Sequence, residues 1–186
     1  MILIISTCAN KLHEAEFVKP IENILKENEI EFLTRHYKEV RESELTAVDK
    51  IIISGTSLDD FEYLKDISLF EWLRETDKPV LGICSGMQII GLVFGAESKK
   101  FKEIGFYKER FENEFLGLGK DGEDVEVEVY HLHNSYITLP EGFESYSKSY
   151  PKKVVQAMKH KEKEIYGVLF HPEVRNHEII FIFCKK

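Results

Sequence analysis

The sequence predicts an α/β fold: a mostly parallel central sheet with helices on both faces, plus a smaller antiparallel sheet in the second half. Two observations carry this. In the first half, short continuous apolar runs alternate with segments of helical periodicity, as in strands buried on both faces and linked by helices. In the second half, Val125, Val127 and Val129 alternate with Glu126, Glu128 and Tyr130, as in half-exposed strands.

The elements follow in order. Ile2 to Ile5 reads as a buried strand, and Phe17, Ile21, Ile24 and Leu25 recur at helical spacing. Pro20 fits that helix only near its start, where its missing N–H costs nothing. Glu29 to Tyr37 reads as a second strand and Ile51 to Ile53 as a third, ending at Ser54-Gly55. Phe61, Leu64, Leu69, Trp72 and Leu73 suggest one or two helices between Asp59 and Thr76. Pro79 to Ile83 is a fourth buried strand, and Gln88 to Val93 continues as helix. Lys153 to Met158 and Ile165 to Phe170 form a hairpin pattern across a Lys/Glu-rich turn. Ile179 to Cys184 is a final apolar helix or strand. Without a linker or repeat, residues 1–186 are expected to form one domain.

Composition narrows the function. With 43% hydrophobic residues, 31% charged residues and a net charge of -8, the chain lacks the basic balance of a nucleic-acid binder. The run Lys99, Lys100, Lys102 reads as solvated surface. The apolar N-terminus is too short for a signal peptide, and no apolar run reaches membrane-spanning length, so a soluble, cytoplasmic protein is expected. Three cysteines, Cys8, Cys84 and Cys184, do not make a disulfide framework.

Only Cys84 has a special setting. Gly82-Ile83-Cys84-Ser85-Gly86 is a strand, a tight turn and a helix start, the cysteine analogue of a nucleophile elbow. Such a turn strains the nucleophile's backbone, and glycines on either side remove clashing Cβ atoms. The thiol sits at a helix N-terminus, which favours thiolate. The Ser85 amide points where an oxyanion would form. The alternative is a small buried apolar residue after a core strand, and this pattern alone does not choose.

A cysteine nucleophile needs a base, and the base an orienting group. Tyr166-Gly167-Val168-Leu169-Phe170-His171-Pro172-Glu173 offers both, because residues two apart on extended chain point the same way. Taken alone, His-Pro-Glu reads better as a surface turn.

Together the two segments resemble the signatures of the class I, triad-type glutamine amidotransferases, Gly-x-Cys-x-Gly-x-Gln and Tyr-Gly-Val-Gln-Phe-His-Pro-Glu, with Leu169 in place of glutamine. Ile52 to Gly55 resembles the strand leading to the family's Ser-Gly-Gly-Pro oxyanion loop. Glu103-Ile104-Gly105, Tyr130 to Ser135 and Leu139 to Phe143 resemble further family segments. The resemblance spans about Ile51 to Glu173.

It implies that Cys84 attacks the carboxamide of L-glutamine, that His171 is base and acid, and that Glu173 orients it. Ser85 and Thr56 would give the two oxyanion amides, with the Gly55 backbone part of the same hole, Gln88 would lie beside the substrate, and the backbone of Leu132, Asn134 and Ser135 would hold its amino-acid end. His133 would stand beside the same pocket. His131 and His133 form a His-x-His pair common among metal ligands, but no nearby carboxylate or cysteine cluster completes a site in the sequence. No metal and no cofactor are expected.

With no nucleotide-binding loop in the chain, ammonia would be its product, which implies a partner synthetase. The closest architectural parallel is the separate glutaminase subunit of two-chain GMP synthases. Alternatives are a stand-alone γ-glutamyl hydrolase on the same fold and a low-turnover regulatory or binding module. Thr56-Ser57 replaces the family's Gly-Pro. If the second oxyanion donor needs positive φ, Thr56 resists it. Its amide would then turn away, with Gly55 as hinge, until a partner binds; the alternative is that Thr56 sits at negative φ and the hole is preformed.

Overall fold

The computed structural model describes residues 1–149 and 154–186. Five strands run parallel: β1 (Ile2–Ser6), β2 (Phe32–His36), β3 (Lys50–Ile53), β4 (Val80–Ile83) and β9 (Ile165–Val168). Four more are antiparallel: β5 (Ser98–Phe111), β6 (Val125–Ile137), β7 (Phe143–Lys148) and β8 (Val155–His160). The order is β2-β1-β3-β4-β9-β8-β7-β5-β6. The antiparallel strands therefore extend the parallel sheet, and the β5–β6 hairpin joins it through the single pairing of Phe111 with Ser147. Lys153, expected at the start of a hairpin strand, lies outside the described residues.

Strand alternation divides the core. Ile2, Ile4, Ile52, Leu81 and Ile83 face α2 (Lys19–Glu27) and α5 (His177–Lys185), with α1 (Glu14–Phe17) beside them. Leu3, Ile5, Ile51, Ile53 and Val80 face α4 (Ser85–Val93) and the 3-10 segment Glu62–Arg74. The short α3 (Glu42–Ala47) precedes β3. Pro20 sits in the first turn of α2, as its chemistry requires.

Three expectations are refined. The second strand starts at Phe32, because Glu29 adopts a left-handed φ of 55° and closes α2 through Ile30 N–H to Leu25 C=O at 2.9 Å. The segment after Asp59 winds as 3-10 helix kinked at Asp66, where Tyr37 Oη donates to the Asp66 carboxylate at 2.7 Å. Its spacing buries Tyr63, Phe70 and Leu73 and leaves Phe61, Leu64 and Leu69 exposed. The C-terminal apolar run is the helix α5. Lys99, Lys100 and Lys102 are exposed, and no described helix is long and apolar enough to cross a membrane.

Helix α4 lies unusually close to the sheet. A Cβ on Gly86 would stand 2.3 Å from the Ile53 carbonyl oxygen, and one on Gly82 2.6 Å from the Gly86 backbone. Backbone cannot yield as a flexible side chain can, so Gly86→Ala should cost about 1–3 kcal/mol, the range for overpacked cores. Urea unfolding checks this: the midpoint should drop for Gly86→Ala and stay near wild type for Glu97→Ala, an exposed control.

Candidate active site

Four parallel strands release their chains at one edge of the sheet, the usual place for a site in such folds. β1 ends in Thr7-Cys8, β3 in Ser54-Gly55-Thr56, β4 in Cys84, and β9 continues to His171. β4 and β9 are neighbours, with Ile83 opposite Val168 and the Cys84 N–H donating to the Val168 carbonyl at 2.8 Å. This adjacency brings the two sequence motifs together.

Cys84 has φ 50° and ψ -103°, a conformation strained for a residue with a Cβ. It caps α4, so the N–H of Ser85 opens the helix without a carbonyl one turn earlier to receive it. The Cys84 sulfur lies 3.6 Å from the Leu132 carbonyl oxygen.

His171 and Glu173 do meet, by a different route from strand alternation. β9 stops at Val168, and His171 to Val174 form a turn closed by Val174 N–H to His171 C=O at 3.2 Å. His171 Nδ1 is 2.7 Å from Glu173 Oε1, leaving Nε2 for Cys84. Its N–H donates to the Tyr130 carbonyl at 2.8 Å, and Phe17 packs on the ring at 5.5 Å between centroids. Burial opposes a charge on His171, but the Glu173 carboxylate and the Cys84 sulfur outweigh it and raise its pKa well above the usual value. An imidazolium beside a sulfur stabilises thiolate.

The glycine before Thr56 makes room for this pair. A Cβ on Gly55 would lie 2.7 Å from His171 Cε1 and 3.4 Å from the Cys84 Cβ. Of the two arrangements open for Thr56, the backbone matches the one with ordinary φ. Among the described residues, the non-glycine positions with positive φ are Glu29, Cys84 and Leu116, so Thr56 is unstrained. The Gly55 carbonyl accepts from Thr7 Oγ1 at 3.2 Å and Ser54 Oγ at 3.0 Å. A planar trans peptide then directs the Thr56 N–H the opposite way. The Thr56 hydroxyl donates to Asp60 Oδ2 at 2.8 Å, and that oxygen also accepts from Ala9 N–H at 2.6 Å. The loop is tied down on both sides of the Gly55–Thr56 peptide.

A small pocket opens at Cys84 between this loop and β6. Thr56, Ser85, Gln88, Leu132, His133, Asn134 and Ser135 line it, and Gly55 does not. Gln88 is more a brace than a free ligand, since its Oε1 accepts from Tyr63 Oη at 2.9 Å and Ser135 Oγ at 3.2 Å while its Nε2 donates to the Ser135 carbonyl. Asn134 Nδ2 donates to the Leu58 carbonyl at 2.8 Å, joining the two walls. Thr7, Asp60 and Tyr63 escaped the sequence reading; each acts through a partner distant in the chain. The judgement that no carboxylate accompanies His131 and His133 is also corrected, because Glu103 on β5 lies 3.0 Å from His133 Nε2.

The family model for class-I glutamine amidotransferases matches residues 13–183. The chain belongs to this family. Among its relatives, a glutamine-hydrolyzing GMP synthase subunit of Methanosphaera stadtmanae is 37% identical over 134 residues, covering 68% of this chain and 65% of that relative's length. The protein of the same name from Methanocaldococcus jannaschii is 36% identical over 151 residues, 74% of this chain and 73% of that one. A crystal structure from Thermoplasma acidophilum, described as that of a GMP synthase subunit, superposes with a TM-score of 0.83 at 27% identity, covering 99% of this chain and 92% of the other.

The environments of the three free cysteines separate them. Burial pushes the thiols of Cys8 and Cys184 up to about 11. Iodoacetamide at pH 7 should therefore alkylate Cys84 first, and peptide mass spectrometry should find Cys8 and Cys184 unmodified until the pH approaches their own. Labelling of Cys8 before Cys84 would contradict the assignment of the reactive thiol.

Proposed function

We propose that this amidotransferase chain hydrolyses L-glutamine to glutamate and ammonia through Cys84, His171 and Glu173, and passes the ammonia to a separate synthetase subunit of GMP synthase type. The observation that carries the reading is the convergence of a strained Cys84 and a carboxylate-held His171 at neighbouring strand ends. The partner and its product rest on the names of the glutamine-hydrolyzing GMP synthase relatives.

In this reading Cys84 Sγ, as thiolate against the His171 imidazolium, attacks the carboxamide carbon. The carbonyl oxygen becomes an oxyanion between the Ser85 and Thr56 amides. His171 gives its proton to the leaving nitrogen, ammonia departs, and a glutamyl thioester remains. Water then attacks that thioester with His171 as base, and Glu173 keeps Nδ1 occupied so that Nε2 stays on the sulfur side. The backbone of Leu132, Asn134 and Ser135, which lines the pocket, would hold the substrate's amino-acid end.

Ammonia release from glutamine tests these roles. Cys84→Ala should fall to background, while Cys8→Ala and Cys184→Ala keep the wild-type rate. His171→Ala should lose about 10²–10⁴ in kcat, the range for general acid–base groups. Glu173→Gln should lose less, because the base remains. Gly55→Ala should cost about 10², since it pushes His171 aside. A wild-type rate in His171→Ala would move the base elsewhere.

Thr56 gives a separate outcome. Because its φ is ordinary and its hydroxyl holds Asp60, Thr56→Gly should lower the partner-free glutaminase rate. A rise in that rate would restore the idea of an amide turned away until a partner binds.

A further inference from the structure

Beside the pocket wall, the β5–β6 hairpin holds a second cluster of side chains, of which His133 also lines the pocket while Glu103 and His131 do not. Glu103 on β5 and His131 and His133 on β6 bring three potential ligand atoms within 4.8 Å of one another. His131 Nδ1 is 3.2 Å from His133 Nε2, and Glu103 Oε2 is 3.0 Å from His133 Nε2 and 3.8 Å from His131 Nδ1. Three ligands bound tetrahedrally to zinc at about 2.0–2.1 Å stand about 3.3–3.4 Å apart. The observed triangle brackets that spacing.

The strand geometry builds the cluster. His131 and His133 are two apart on β6 and share a face. A register shift between Lys100 and Glu103 sets Glu103 directly opposite His133. Gly105, opposite His131, contributes no side chain and leaves space there. All three ligand candidates are buried, His131 completely.

The outer partners decide where the lone pairs point. His131 Nε2 faces Glu109 Oε1 at 3.2 Å, an ion-pair distance without hydrogen-bond alignment, the buried His133 Nδ1 points away from the cluster, and Gln156 Nε2 donates to Glu103 Oε2 at 2.8 Å. Ligating histidines characteristically give their other N–H to a carboxylate or a backbone carbonyl. With the imidazole protons directed outward, His131 Nδ1, His133 Nε2 and Glu103 Oε2 face one another as electron pairs. In those tautomers the electron pairs would repel one another, and a cation at the centre would relieve this. Charge points the same way: Glu103 and Glu109 are both buried, and among the described residues their ion-pair partners are histidines, with no lysine or arginine. Buried carboxylates without a cation are costly.

We propose that Glu103, His131 and His133 bind one divalent transition metal of the zinc class, with water completing a four-coordinate site and Glu109 and Gln156 as outer partners. The metal would pin β5 to β6 directly behind Leu132 and Asn134, so its role is structural support of the pocket wall. The inference stands on the cluster alone and does not depend on the glutaminase reading.

The test is metal content. The full chain, stripped with a chelator, re-loaded with zinc and desalted, should carry one zinc per chain by plasma mass spectrometry, and its Tm should fall when the metal is removed. His131→Ala and Glu103→Gln should each lower zinc content at least tenfold, while Cys84→Ser, which removes the other thiol–imidazole pair able to take zinc, should keep it. Cobalt substitution of the wild-type chain needs no variant to fold. It should give tetrahedral ligand-field bands without a sulfur-to-cobalt charge-transfer band. Zinc content far below one per chain with no change in Tm would overturn the proposal and leave protons as the cations of the cluster. Loss of zinc in Cys84→Ser, or a sulfur-to-cobalt band, would overturn it by placing the metal at Cys84.

Discussion

The contact that the rest of the site depends on is the approach of helix α4 to strands β3 and β4. Gly82 and Gly86 allow backbone to meet backbone where any Cβ would collide. To leave β4 and enter a helix that lies so close, the chain must turn within one residue, and Cys84 takes that turn at φ 50°. The strain is held by the surrounding core: Met87, Ile89 and Ile90 of the helix are fully buried against Ile51, Ile53 and Val80. The thiol is thereby fixed at a helix N-terminus at the edge of the sheet, which is a property of packing before it is one of chemistry.

Around this fixed point the other parts are braced against each other. The Ser85 hydroxyl donates to the Ser54 carbonyl at 3.1 Å and lies 2.9 Å from Thr7 Oγ1, so the turn, β1 and β3 share one polar network. Gln88, Tyr63 and Ser135 join α4 to β6, and His171 N–H to Tyr130 C=O joins β9 to the same strand. The pocket is thus a place where five strands are cross-tied, which suits a reaction that needs reacting atoms held within a narrow range of positions.

Much of this was legible in the sequence, unevenly. The parallel strands announced themselves as short apolar runs because they are buried on both faces, and Cys84 and His171 stood in contiguous motifs. Ser98–Phe111 was not legible as a strand, since its many charged residues mask the alternation and a bulge interrupts it. The sequence left two conformations open at Thr56, because the backbone of a loop is set by its anchors, here Thr7 and Asp60. Glu103 was visible as a residue, but its position opposite His133 depends on the register shift of β5, a property of the pairing and of neither strand alone.

The central claim is that Cys84 carries the glutamyl group between ammonia release and hydrolysis. Mixing the chain with excess L-glutamine, quenching in acid during turnover and sequencing its peptides by mass spectrometry tests this directly. A glutamyl thioester on the peptide containing Cys84, absent without glutamine and absent in Cys84→Ala, is the predicted result. Ammonia release with the adduct on Cys8 or Cys184, or continuing undiminished in Cys84→Ala, would contradict the account.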